Sequence, residues 1–424
     1  MTFKCRALAG ILLASLPFVA AQAESSPWTL EKVVEVSRHG VRPPTEGNAK
    51  AIQEGTGRKW PTWLTPFGEL TGHGYAAAVL KGQYEGNYLR QHGLLKPGCP
   101  SPGEVFVWSS PLQRTQETAH ALMDGVFPGC GVMIHATTSE KQDTLFHAEK
   151  AGLSVDPAKV RADLMKAMDG KTAKQIQSAL KPEIDRLQQA LCLPDKPCPA
   201  FTSPWKLHEN KKGNIALRGP DVLANMAETI RLAYSNNMPL SQVAFGNVHN
   251  AADVGALMPL LTTNYDFTND LPYVARRGGS TLMNQIVLAL EPGKQTGEPP
   301  QAAWLLYVAH DTNIAKLRTM LGFTWKMANY PRGNIPPAGS LIFERWRNNQ
   351  SGQRFLRIYF QAQSLDQIRS LTPLDSTHPP LRTEFQMPGC HLTDVGTLCP
   401  YLSTIKRINA SIDPTALLAV HYTM

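Results

Sequence analysis

The chain reads as an α/β domain carrying an inserted, mainly helical domain. Three observations point there. Short runs rich in apolar residues recur at 33–37, at Val105–Ser109 and at Trp304–Ala309, and each reads as a buried strand rather than an alternating surface one. Each ends on a polar cluster, and the second and third lead into helix-like stretches at 116–123 and 314–321, the grammar of an α/β sheet. Between those two runs the chain turns helical in pattern over residues 149–245, leaving 24–148 and 246–424 for the α/β domain.

Taken in order, the first element is an address. Lys4 and Arg6 precede an apolar stretch from about Ala7 to Ala20, and Ala21-Gln22-Ala23 supplies a small-residue cleavage site. This is the pattern of an export signal over residues 1–23, too short for a good membrane span. Cys5 leaves with it. No other segment is long and apolar enough to cross a bilayer, so the mature chain is expected to be periplasmic or secreted. Its six cysteines then meet an oxidising compartment. They lie as neighbours: Cys99 and Cys130, Cys192 and Cys198, Cys390 and Cys399. Six cysteines admit many pairings. Local pairing is the expectation, because each pair flanks a Pro/Gly-rich turn.

The formal charge is +8, and loss of Lys4 and Arg6 leaves +6. That balance favours a small anionic partner. With no long basic run and no basic-aromatic motif, nucleic acid is not the expected one, and neither is a membrane.

The first strand run delivers Arg38-His39-Gly40-Val41-Arg42-Pro43-Pro44. Two guanidiniums flank one imidazole. Arginine forks bind phosphate oxygens in pairs, and their charge holds the imidazole unprotonated, as attack on phosphorus requires. Gly40 leaves room for close approach, and the prolines stiffen the exit. The second run leads to Arg114, a third cation at a strand-to-helix junction. The third ends at His310-Asp311-Thr312-Asn313. There an imidazole can donate to a phosphate oxygen. The adjacent carboxyl can protonate a leaving oxygen and later take a proton from water. As an acid it must carry its proton, which predicts activity at roughly pH 3–6. Thr312 and Asn313 fit equally well as helix caps. Ligands of such sheets sit beyond the carboxyl ends of the strands, where all three clusters fall.

Other chemistries find little support. There is no Walker A loop, no G-x-S-x-G and no H-E-x-x-H. Gly72-His73-Gly74-Tyr75-Ala76-Ala77 matches a loose dinucleotide fingerprint without a preceding strand, so helix packing is its expected role. No metal or organic cofactor is expected. From about Pro157–Met168 the insert continues through helical patches at 172–191 and 223–230, broken by a proline-rich turn at 192–205.

At the first and third clusters the chain resembles the histidine acid phosphatases, a branch of the phosphoglycerate-mutase-like superfamily, whose pattern is R-H-G-x-R-x-P early and H-D late. Over nearly its mature length it is similar to exported bacterial phytases. The similarity includes Gly68-Glu69-Leu70-Thr71, Ser110-Pro111-Leu112-Gln113-Arg114-Thr115 and Gly333-Asn334-Ile335-Pro336-Pro337. The resemblance implies a phosphoglycerate-mutase-like α/β domain with a helical insert. It implies that His39 becomes phosphorylated and that Asp311 donates the proton. Arg38, Arg42, Thr45, Arg114 and His310 would bind substrate, with Met226 and Glu228 of the insert bordering the pocket. Some relatives carry an acidic residue where this chain has Ser110. Glucose-1-phosphatases are the near alternative, yet they can carry asparagine at the place of Gly40 and serine at that of Thr312. A broad acid phosphatase and a non-catalytic anion-binding protein remain as further readings. A phosphomutase fits poorly with export. The expectation is a monomer acting on a small phosphate ester.

Overall fold

The β-branched stretch at 33–37 forms the middle of a large sheet. The computed structural model describes residue 2 and residues 26–211, 213–293 and 298–422. Thr2 aside, the leader expected over 1–23 lies outside the described residues. Three strands come first: β1 (Trp28–Arg38), β2 (Val105–Ser109) and β3 (His135–Ala136). A small hairpin follows, β4 (Lys206–Glu209) and β5 (Ile215–Arg218). After it come β6 (Trp304–Ala309), β7 (Ser340–Asn348), β8 (Arg354–Ala362), β9 (Leu381–Glu384), β10 (His391–Thr393) and β11 (Gly396–Pro400). Among the described residues one nine-stranded sheet runs β10-β11-β8-β7-β1-β6-β2-β3, with β9 added on β8.

Strands β1, β6, β2 and β3 are parallel, and β7 turns antiparallel against β1. Register decides what happens at their ends. Arg38 lies opposite Ala309, and both Ser37 and Ser109 lie opposite Val308. The three polar clusters therefore leave the sheet side by side, although they are far apart in sequence.

Helices cover both faces. On one lie α2 (Gly72–Gln91) and α3 (Gln113–Val126), preceded by α1 (Glu46–Thr56). Their Leu89, Leu122 and Met123 pack on Val33, Val107, Leu306 and Val308. Gly74 opens α2 against the loop after β1, where a Cβ would stand 2.6 Å from the Val41 carbonyl oxygen. The glycines of the loose dinucleotide pattern thus include one that serves close packing.

The segment between β3 and β6 is largely helical: α4 (Pro157–Met168), α5 (Ala173–Ala179), α6 (Lys181–Leu191), α7 (Pro199–Thr202), α8 (Pro220–Ser235), α9 (Ala251–Ala256), α10 (Pro259–Asp266) and α11 (Pro272–Ala289). The patch expected over 172–191 divides at Leu180, where the cap of α5 meets the start of α6. Beyond β6 come α12 (Asp311–Leu321), α13 (Leu365–Arg369) and α14 (Tyr401–Ser411). Leu282, Ile286, Ile314 and Leu317 of α11 and α12 meet Val34, Leu305 and Tyr307 on the second sheet face. The strands are therefore buried on both sides, which is why they read as buried strands rather than alternating surface ones.

Disulfides join Cys99–Cys130, Cys192–Cys198 and Cys390–Cys399. The first ties the chain beyond α2 to the chain beyond α3. Such bonds fit an oxidising compartment. Among the described residues no helix is long and apolar enough to cross a membrane.

Candidate active site

Backbone hydrogen bonds clamp the three clusters to one rim. The amide of His39 donates to the carbonyl of Ala309 at 3.0 Å, and that of Ser110 donates to Val308 at 2.9 Å. The His39 carbonyl accepts from Ala338 at 2.9 Å. The Gly40 amide donates to Thr118 Oγ1 of α3, also at 2.9 Å. The loop at 39–42 is thus held from the sheet and from a helix at once.

His39 is 1% exposed. Its Nδ1 lies 2.9 Å from the Gly40 carbonyl. A carbonyl only accepts, so Nδ1 carries the hydrogen and Nε2 keeps its lone pair. Arg42 Nε lies 3.5 Å from that Nε2. Burial, then the charges of Arg42, Arg38 and Arg114, hold the imidazole well below the usual histidine range. A nucleophilic nitrogen therefore stays unprotonated in acid.

Arg38 is pinned on two sides. It donates to the Ile335 carbonyl at 2.6 Å and to Glu228 Oε1 at 2.5 Å. Burial alone would favour loss of its proton, but Glu228 and Asp311 outweigh that and raise its proton affinity. The 333–337 stretch is thus a carbonyl support for the first clamp. Arg42 is also buried, and burial with Arg38 nearby brings its guanidinium down to about 10. It remains a cation throughout the acid range. Arg114, at the start of α3, donates to the Gly68 carbonyl at 3.3 Å. The Gly68 amide in turn donates to Pro44, next to Thr45, at 3.1 Å. Thr45 and Arg114 thereby border one turn beside the histidine.

His310 caps α12, with Asn313 Oδ1 accepting from its backbone amide at 3.1 Å. The capping role open to Asn313 is real and leaves the imidazole free for other work. Its ring centroid stands 5.7 Å from that of His39, and its Nε2 is 3.1 Å from Ser110 Oγ. Burial, Arg114 and His147 hold it well below the usual histidine range. Asp311 follows in the first turn of α12, where a helix N-terminus favours negative charge. Burial alone would raise it, but Arg38, a hydrogen bond from the Tyr265 hydroxyl and Arg42 carry it below the usual carboxylate range.

Of the two residues implied to border the pocket, Glu228 lies against Arg38 and Met226 is buried on the same helix. Met226 is fully buried, and its Cε stands 2.8 Å from where a Cβ on Gly55 would lie. It packs α8 against α1. Glu228 binds both Arg38 and Arg231, and its carboxylate is held low against burial by those two cations. It anchors Arg38 from the α8 side of the pocket. Sequence reasoning missed Tyr265, Arg231 and the Ser110–His310 contact. Tyr265 sits in α10 without a neighbouring motif, whereas Ser110 stood out only as a departure from an acidic residue.

The arrangement joins an unprotonated imidazole nitrogen, three guanidiniums and a carboxyl group. Such a set can bind a phosphate dianion, attack it and exchange a proton with the displaced oxygen.

The family model of the histidine phosphatase superfamily (branch 2) matches residues 29–361. Phytase AppA of Escherichia coli (strain K12) is 31% identical, over 96% of this chain and 98% of that protein. A glucose-1-phosphatase of Salmonella typhimurium is 29% identical, over 93% of this chain and 95% of that one. Among solved structures, the phytase of Klebsiella sp ASR1 superposes with a TM-score of 0.88 at 50% identity, covering 93% of this chain and 98% of that chain. Fold, motif order and full-length likeness agree: the chain belongs to branch 2 of the histidine phosphatase superfamily, as a histidine acid phosphatase.

Proposed function

We propose that the chain hydrolyses phosphate monoesters of myo-inositol hexakisphosphate in acid, through a phosphohistidine at His39. One observation carries the chemistry. His39 Nε2 is unprotonated, buried and ringed by cations, so it keeps its lone pair where most histidines would lose it. In the first step Nε2 attacks phosphorus. The N–P bond forms as the P–O bond to the leaving group breaks, and Asp311 gives its proton to that oxygen. Arg38, Arg42, Arg114, His310 and Thr45 hold the phosphate oxygens. In the second step water attacks phosphorus, the Asp311 carboxylate takes the water's proton, and the P–N bond breaks.

Asp311 is ionised in the free site, because Arg38 and Arg42 favour its charge. A bound phosphate dianion neutralises those same guanidiniums and restores the proton affinity of the carboxyl. Substrate thereby prepares its own acid, and the reaction belongs to acid pH.

The choice of phytate rests on the named relatives, on the basic mature chain and on Gly40 and Thr312, which match the phytase pattern. Glucose-1-phosphatase relatives of comparable similarity make glucose 1-phosphate the second reading. Residues 149–245 are read as an inserted unit that walls the site through α8, and the protein as a periplasmic or secreted monomer.

Phosphate release at about pH 5, with chelator present, tests the reading. The substrates are phytate, glucose 1-phosphate and an aryl phosphate, and His39→Ala is the control. Preference for phytate, lost in the variant, supports it. Preference for glucose 1-phosphate keeps the mechanism and moves the substrate. No release from any ester, with phosphate still bound, makes the chain an anion binder.

A further inference from the structure

A second pocket opens beside the phosphate clamps, and the reaction scheme leaves it unused. It holds about 490 Å³ between α1 and the stretch at 59–67. Pro44, Ile52, Trp60, Trp63, Leu64 and Phe67 supply much of its wall. Leu64 is fully exposed and Phe67 is 53% exposed, so two large apolar side chains stand in water at its edge. Apolar groups gathered in the open around a concavity of this size mark a place where a ligand binds. The lining includes one charged side chain, the exposed Lys59, and no carboxylate. The further phosphates of an inositol ester would need several cations there, so the pocket suits an uncharged, apolar group.

Contacts on several sides join this pocket to the phosphate site. Pro44 lines it and precedes Thr45, the cap of α1, whose side chain makes no capping bond. Phe67 lines it and precedes Gly68. The Gly68 amide donates to the Pro44 carbonyl at 3.1 Å, and its own carbonyl accepts from Arg114 at 3.3 Å. A Cβ on Gly68 would stand 3.7 Å from Thr45 Cγ2 and 3.8 Å from Arg114 Nη1, so one turn touches both clamps. Trp63 packs on the cluster of Val41, Ala77, Leu232 and Ile368, and Val41 stands between Gly40 and Arg42. Thr229 lines the pocket from α8, next to the Glu228 that anchors Arg38. The outer wall is held as well. Trp60 Nε1 donates to Thr56 Oγ1 at 3.0 Å, and its ring stands 5.4 Å, edge to face, from that of Phe245. The Arg58 guanidinium lies 3.6 Å over the same Phe245 ring. Phe245 reaches them from left-handed backbone at φ 58°, which a bulky residue adopts only where its surroundings impose it. The pocket is therefore preformed.

We infer that this pocket is a leaving-group subsite for aromatic phosphate monoesters: with the phosphate on Arg114 and Thr45, the aryl ring packs against Trp63 and Phe67. This rests on those two residues as phosphate clamps and adds a substrate class to the reading above. Roughly 150 Å³ of apolar space takes benzene, so the volume admits a fused two-ring group. The chemistry is that of the same site. The P–O bond breaks, the arenol oxygen leaves with the Asp311 proton, and the phosphoryl group passes to His39 and then to water. The ring is buried equally in the bound ester and in the transition state. Its burial therefore lowers KM for aryl esters and leaves kcat alone.

The test compares wild type, Phe67→Ser and Ala49→Phe on 1-naphthyl phosphate and glycerol 1-phosphate at about pH 5. The first variant removes an exposed part of the wall, and the second fills the pocket from α1, where Ala49 lines it. Both are expected to raise KM for the naphthyl ester by roughly 3- to 10-fold with kcat little changed, and to move KM for the glycerol ester by less than about twofold. Equal losses on the two esters, or no loss on the naphthyl ester, overturn the inference. Phe67 stands half in water, so its replacement carries the test if Ala49→Phe does not fold. Calorimetry with 1-naphthylmethylphosphonate and methylphosphonate, which have no ester bond to break, repeats the comparison without turnover. Wild type is expected to bind the naphthyl compound about 10-fold more tightly or better, and both variants to lose most of that preference. Equal binding of the two by wild type overturns the inference. A chain that released no phosphate from any ester would defeat the proposed function, yet the phosphonate pair would still decide the pocket.

Discussion

His39 must be a base too weak to protonate in acid and still a competent nucleophile. Burial and three guanidiniums achieve the first, and the Gly40 carbonyl orients the ring for the second. Asp311 faces the opposite demand, since it must carry a proton among cations. Tyr265 sets part of that balance, because its hydroxyl hydrogen bond favours the carboxylate. Removing that donor raises the proton affinity of Asp311. Tyr265→Phe is therefore expected to move the alkaline limb of the kcat profile to higher pH, as a pH series at saturating substrate would show. A limb that moves down or stays put would separate Tyr265 from the acid. Replacing the acid itself, Asp311→Asn, is expected to lower kcat by about 10²- to 10⁴-fold for an alkyl ester, whose leaving oxygen needs the proton. An aryl ester, with its better leaving group, is expected to suffer less in the same steady-state assay.

At the scale of elements, β1 and α8 are joined by charge. Arg38 at the end of β1 and Arg231 on α8 share the Glu228 carboxylate, and Arg231 reaches Asn334 Oδ1 at 2.5 Å. All three charges are largely buried, with side-chain exposures of 1% for Arg38, 2% for Arg231 and 15% for Glu228. Removing the shared anion leaves two buried cations facing each other. Glu228→Ala is expected to cost about 3–5 kcal/mol in urea unfolding and to raise KM, because Arg38 loses its anchor. A variant as stable as wild type would mean that water replaces the carboxylate at no cost. Helices α2 and α3 do the complementary work from the other face. Thr118 holds Gly40, and the bare Cα of Gly74 lets α2 approach the Val41 backbone.

Across the whole molecule, a second buried charge system lies away from the phosphate site. Lys81 of α2 stands 2.8 Å from Glu35 of β1 and 3.0 Å from Glu85. Ser340 of β7 donates to the same Glu35 oxygen at 2.6 Å. Two carboxylates share one ammonium, and burial together with Glu35 pushes Glu85 up to about 8 from an ordinary 4.5. The folded state thus binds a proton that the unfolded state has lost. The stability this adds is fully present below about pH 4.5 and disappears as pH rises through about 8. Glu85→Gln, which carries no proton to lose, is expected to flatten the decline in melting temperature between pH 5 and about 8.5. An unchanged slope would place the proton elsewhere. The cluster makes the fold itself suited to the acid in which the site works.

How much of this was legible follows from where each residue sits. His39, Arg42, His310 and Asp311 could be read because each lies just past the end of an apolar run, and parallel strands bring such ends together. The cysteine pairs could be read because each joins neighbours in the cysteine order, two of them across short turns and Cys99–Cys130 across β2 and α3. The packing of Met226 could not be read, since a position on an insert helix does not say which face of that helix is covered. Tyr265 and Arg231 could not be found, because helices distant in sequence bring them to the site. Their roles exist only as distances.

The central claim is a covalent bond between His39 and phosphorus. The most direct measurement is to mix enzyme and substrate, quench within milliseconds in alkaline denaturant, where a phosphoramidate survives, and map the digested protein by mass spectrometry. The account predicts one phosphate on the peptide carrying His39, absent from His39→Ala and accumulating when Asp311→Asn slows attack by water on an aryl substrate. Phosphate on another residue, or full turnover by His39→Ala, would contradict it.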